Sequence, residues 1–131
     1  MANKIVVADT SILIDYFRKS EKANLVLVSL YDKGFDISIS AITEYEIYSG
    51  ATPNQIGFWE NLLKETVVLP FDHFVVKIAV EINSALKRKR KQIEQADLFI
   101  AATAMANNLP FATLNKRHFE RIDDLIMHDE L

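Results

Sequence analysis

Three acidic positions in this chain could do chemistry together. Asp9 follows a short apolar run in Val7-Ala8-Asp9-Thr10-Ser11, Asp97 heads a stretch of small residues in Gln95-Ala96-Asp97-Leu98-Phe99-Ile100-Ala101-Ala102, and Glu44 and Glu46 lie between Ser40 and Gly50. Each has a plain structural reading. Asp, Thr and Ser are all good helix N-caps, which covers Asp9, and a carboxylate in a first helical turn is favoured by the helix dipole, which covers Asp97. The readings diverge if the acids share one crevice. Carboxylates held together repel, and burying them is costly unless a cation or a proton compensates. Oxygen-only ligands select a hard ion, so Mg²⁺ or Mn²⁺ is the implied cofactor. Such ions acidify a bound water and neutralise a scissile phosphate, the chemistry of phosphodiester cleavage.

Glu44 and Glu46 cannot both face inward, because residues two apart on a helix point in different directions. Ile42 and Thr43 share a face with Glu46, which makes Glu46 the inward acid and Glu44 a solvated one. Asn115 and His118 follow the last clear apolar run and complete the rim, with His118 secondary, since no second histidine or cysteine gives it zinc-like spacing. Ser11, His118 and Asp97 could be drawn as a hydrolytic triad, but no nucleophile elbow supports it. Gly34, Gly50 and Gly57 are too scattered for a phosphate-binding loop.

The elements that must hold these residues alternate. Short β-branched runs span 4–8, 37–40, 67–70 and 111–114, with a weaker fifth at 125–128. Helical patterns span 11–18, 22–33, 42–49, 54–64, 74–91 and 96–107. The first run is nearly continuous in apolar residues, as expected of a strand covered on both faces. In 74–91 the residues Val75, Ile78, Ala79, Ile82 and Leu86 form one stripe at helical spacing. This implies an α/β domain with a parallel sheet of four to five strands and helices on both faces, its site beyond the carboxyl ends of the strands. The small Ala101, Ala102 and Ala104 would let the Asp97 helix lie close to its neighbours.

Length and composition agree with one domain over 1–131. Half the residues are hydrophobic and a quarter charged, with three Gly, three Pro and no cysteine, which excludes a disordered or fibrous chain, a disulfide framework and a thiolate metal site. No apolar run is long enough to span a bilayer and no signal-peptide pattern is present, so the expectation is a cytoplasmic protein. The net charge is −3. Five positives are consecutive, Lys87 to Lys91, and could meet a polyanion through their local potential despite the acidic total. Read plainly, they are a solvated helix end stabilised by the dipole.

The set Asp9-Thr10-Ser11, Thr43-x-x-Glu46-x-x-x-Gly50, Asp97-x-x-Ile100-Ala101-Ala102 and Thr113-x-Asn115-x-x-His118-Phe119 resembles the PIN-domain nucleases, and within them the VapC-type toxins of bacterial toxin–antitoxin pairs. The resemblance spans the whole chain. It implies a Rossmann-like three-layer α/β/α sandwich, Mg²⁺ or Mn²⁺ bound by Asp9, Glu46 and Asp97, and RNA as substrate. Ser11 and Asn115 would support metal, water or substrate, and His118 could contact phosphate. An antitoxin partner and a homodimer are also implied. Many PIN domains carry a fourth acid near Asn115 or His118, and this chain does not. Arg88, Lys91, Lys116 and Arg117 are the candidate contacts to RNA phosphates. Two other readings compete: a catalytically silent RNA-binding or scaffold PIN domain, which the intact acids argue against, and a phosphoacceptor receiver, which lacks paired acids here because Ala8 precedes Asp9.

Overall fold

The computed structural model describes residues 4–21 and 25–128. The chain runs β1 (Lys4–Ala8), α1 (Thr10–Arg18), α2 (Val26–Asp32), β2 (Phe35–Ser40), α3 (Ala41–Gly50), α4 (Pro53–Leu63), β3 (Val67–Leu69), α5 (His73–Lys89), α6 (Gln95–Ala106), β4 (Phe111–Ala112) and α7 (Lys116–Phe119). The four strands form one parallel sheet in the order β3-β2-β1-β4. From β1 the chain winds outward through β2 to β3, then returns to place β4 on the other side of β1. The order reverses between β1 and β4, and an open α/β sheet binds its ligands at such a switch point. It also differs from the 2-1-3-4-5 order of receiver-type sheets, so the receiver reading fails on topology.

Alternation along the strands divides the core in two. Val7 and Phe111 point to one face, where Val75, Ala79, Ile82 and Leu86 of α5 and Leu98, Ile100 and Ala101 of α6 cover them. Val6, Ala8, Ile37, Ile39 and Ala112 point to the other, against Ile12, Leu13, Leu27, Ile47 and Trp59 of α1 to α4. The result is the expected three-layer sandwich. The alanines Ala101, Ala102 and Ala104 of α6 are fully buried, and their size lets α6 sit close against its surroundings.

Several boundaries differ from the sequence reading. Helix α2 begins at Val26, and residues 22–24 of the expected helix lie outside the described residues. Gly34 at φ 87° supplies the left-handed turn into β2. Strand β4 ends at Ala112, because Thr113 turns its hydroxyl toward Asp9 and leaves the ladder. The fifth run is a single parallel bridge between Phe111 and Met127, with Phe111 N donating to Ile126 O at 2.8 Å. Helix α5 stops at Lys89, two residues early, and the single turn α7 was not expected at all.

Candidate active site

Backbone register brings the first two site residues together. Ala8 pairs with Ala112, and Asp9 N donates to Ala112 O at 2.8 Å, so Asp9 and Thr113 leave adjacent strands side by side. Asp9 occupies the N-cap position of α1 but makes no side-chain cap bond. Its buried carboxylate is used differently: Oδ2 accepts from the hydroxyls of Ser11 and Thr113, each at 2.7 Å. Those hydroxyls are themselves fixed. Leu114 N donates to Ser11 Oγ at 3.1 Å and Asn115 N to Thr113 Oγ1 at 2.9 Å. The capping reading of Asp9 is thus displaced by a small network that aims one oxygen and immobilises the side chain.

Glu46 is the inward acid of α3, as the helical-face argument requires. The hydroxyl of Thr10 donates to Glu46 Oε1 at 2.7 Å and lies 3.0 Å from Thr43 Oγ1. Thr43 is buried beside Ser40, whose side chain caps α3 by accepting from Thr43 N at 3.0 Å. The end of β2, the start of α3 and the start of α1 are therefore tied together around this carboxylate. Glu44 is not among the residues that line the cleft.

Asp97 enters from the first turn of α6, on the opposite wall. Burial raises its pKa above the ordinary 3.8, and the charges of Asp9 and, more weakly, Glu46 push it the same way; His118 opposes them. His118 Nδ1 stands 3.6 Å from Asp97 Oδ2. Asp9, Glu46 and Asp97 line one cleft of about 580 Å³, together with Thr10, Ser11, Leu114, Asn115 and, at its outer end, Arg18 and Lys19. His118, Lys116 and Arg117 line an adjoining hollow with Thr113 and Asn115, and Lys91 lines a third. Arg88 is exposed on α5 and belongs to none of these three walls.

The donor set suits a hard cation. All three acids offer oxygen, and the oxygens of Asp9 and Glu46 not named above accept no protein hydrogen bond among the described residues. No three acids or histidines among the described residues stand close enough to enclose an ion unaided. Mg²⁺ tolerates this, since it keeps several waters and is commonly held through one or two carboxylates.

Sequence reasoning missed Thr10, Thr43 and Thr113 as positioning residues. Thr113 carried a signal, for it follows a strand as Asp9 does, but a threonine hydroxyl is too common for its type alone to mark it.

The profile of the PIN domain matches residues 6–125. Ribonuclease VapC1 of Methanocaldococcus jannaschii is 34% identical over 120 residues, covering 91% of this chain and 82% of that protein. Toxin FitB of Neisseria gonorrhoeae is 31% identical over 132 residues, covering 91% and 94%. Among solved structures, DNA-bound VapBC from Salmonella typhimurium superposes with a TM-score of 0.83 at 25% identity over 98% of both chains. VapBC-1 from nontypeable Haemophilus influenzae superposes with a TM-score of 0.82 at 25% identity, covering 95% and 97%. With a profile match over nearly its whole length and the acid cleft at the switch point of its sheet, this chain belongs to the PIN-domain family, among its VapC-type members.

Proposed function

We propose that the chain is an endoribonuclease that holds Mg²⁺ or Mn²⁺ through Asp9, Glu46 and Asp97 and cleaves RNA, as the toxin of a toxin–antitoxin pair. The observation that carries this reading is the convergence of three carboxylates, distant in sequence, on one cleft where their charges oppose one another. A cluster of that kind is tolerable in a stable fold when a cation offsets it. The bound ion would supply an acidified water and charge neutralisation at the scissile phosphate.

The chain's own side chains do the positioning. Ser11 and Thr113 fix Asp9, and Thr10 fixes Glu46, before substrate arrives. Such preorganisation avoids reorganisation during the reaction. His118 and Asn115 line the hollow beside the cleft, with His118 next to Asp97, and in this reading they contact a phosphate flanking the scissile bond. The toxin role is supported by relatives named ribonuclease VapC and toxin FitB and by neighbours solved as VapBC complexes. An antitoxin of the VapB kind would cover the cleft. The exposed Val76 and Val80 on α5 support a homodimer. No helix among the described residues is long and apolar enough to cross a membrane, and the absence of cysteine supports a cytoplasmic site.

One observation favours the silent RNA-binding module: the acids do not form a closed cage. Incubating the purified chain with total RNA in Mg²⁺ and in EDTA decides between the two. Discrete cleavage products that require the ion support the nuclease. Retention of RNA with no cleavage in either buffer assigns the chain to the silent class.

A further inference from the structure

The five consecutive cations do not act as one ridge. Lys89 forms an ion pair with Asp123. The next residue, Arg90, adopts φ 55° and ψ 39°, and the helix closes with Arg90 N donating to Lys87 O at 3.1 Å and Lys91 N to Leu86 O at 3.0 Å. That left-handed closing position favours glycine, and a side chain with a Cβ is strained there. The outcome is that Arg90 and Lys91 leave the axis of α5 and face Arg117 and Arg121 across a groove of about 510 Å³, with Glu120 the one acid in its lining. Arg121 Nη1 donates to Gln92 O at 3.2 Å, which holds its guanidinium in place. Among the described residues none of these four cations makes an ion pair.

The groove adjoins the acid cleft. Leu114 and Asn115 line the cleft and also the hollow around residues 113–118, and Arg117 lines both that hollow and the groove. One surface therefore leads from Asp9 and Asp97 past α7 to Arg121.

We infer that Arg90, Lys91, Arg117 and Arg121 hold backbone phosphates of the single-stranded RNA on one side of the scissile bond. The inference rests on the reading of the acid cleft as an RNA-cleaving site. Guanidinium groups match phosphate oxygens in a fork geometry, and a strand whose scissile bond lies over the acids can follow the surface shared through Leu114, Asn115 and Arg117 into this groove. An acidic peptide on the same path would meet three carboxylates at its end, whereas a phosphodiester there would share the cation proposed for those carboxylates. The strained arginine is then a position at which function outweighs stability.

The test measures affinity for a short unstructured RNA across a salt series in EDTA, alongside thermal melts and cleavage kinetics in Mg²⁺. Arg117→Gln with Arg121→Gln should lower the slope of log affinity against log salt by about 1.4, two phosphate contacts at roughly 0.7 each, and raise KM about tenfold with little change in kcat. Arg90→Gly should lower the slope by about 0.7 yet raise Tm by a few degrees, because glycine relieves the left-handed strain. Arg90→Lys should keep the slope. If the parent cleaves RNA and the double variant keeps the parental slope and KM, the groove assignment is overturned while the nuclease reading stands. If the parent neither binds nor cleaves RNA, both fall. If an acidic peptide binds the parent and is lost in the double variant while RNA affinity is unchanged, the groove belongs to a protein partner and the inference is wrong.

Discussion

Thr113→Val is the most informative single perturbation of the acid cleft. Valine matches threonine in shape, so no cavity opens at this fully buried position. What disappears is the hydroxyl that donates to Asp9 Oδ2 at 2.7 Å and accepts from Asn115 N at 2.9 Å. A hydrogen bond to a charged group contributes about 1.5–3 kcal/mol, and the freed Asn115 N–H adds up to about 1 kcal/mol, less if water reaches it. A total loss of about 2–4 kcal/mol corresponds to a fall in Tm of roughly 8–15 °C for a domain of this size. The cause is isolated by repeating the substitution in an Asp9→Asn background, where no charge remains to be served. Urea unfolding of the four proteins in EDTA should give a coupling of about 1–2 kcal/mol between the two sites, and kcat should fall in Thr113→Val as Asp9 loses its orientation. A cost below about 0.5 kcal/mol, or the same cost in both backgrounds within about 0.3 kcal/mol, would refute the view that Thr113 acts through the Asp9 carboxylate.

Glu46→Gln should be inactive and Glu44→Gln close to normal in a cleavage assay, because only Glu46 is held in the cleft by Thr10; the reverse result would show that the wrong face of α3 had been assigned. Asp97→Asn should melt roughly 2–5 °C higher than the parent at neutral pH in EDTA, since it removes one charge from a repulsive cluster. The sign follows from the raised pKa. Folding favours the protonated form of Asp97 more than the unfolded chain does, so this contribution is fully present below the unfolded value near 3.8 and is lost as pH rises through the folded one. The gain from Asp97→Asn should therefore shrink as pH falls toward 3.8, and a gain that grows on acidification would contradict the assignment.

The sheet was legible because its strands are β-branched runs that the sandwich covers on both faces, with Val6, Val7 and Ala8 fully buried. Glu46 was legible because helical geometry permits only one of two acids two residues apart to face inward. Asp9 was legible as a position but not as a role, since aspartate caps helices well and only the register of β1 against β4 shows that it bonds across to Thr113 instead. Helix α7 escaped notice because one turn has no periodicity to detect; burial of Phe119 fixes it through tertiary packing. The end of α5 was hidden for a related reason. Lysine and arginine are good helix formers, so nothing in Lys87 to Lys91 announces a stop, and an arginine in the left-handed position lacks the signal that glycine would give.

The central claim is that the carboxylates at the switch point of the sheet perform the cleavage. The rate of RNA cleavage at saturating Mg²⁺ by the parent, Asp9→Asn and Asp97→Asn, each shown by its melt to be folded, tests it most directly. Cleavage by the parent and its abolition in both variants, with folds intact or stabilised, is the predicted result. Full activity in either folded variant would contradict it.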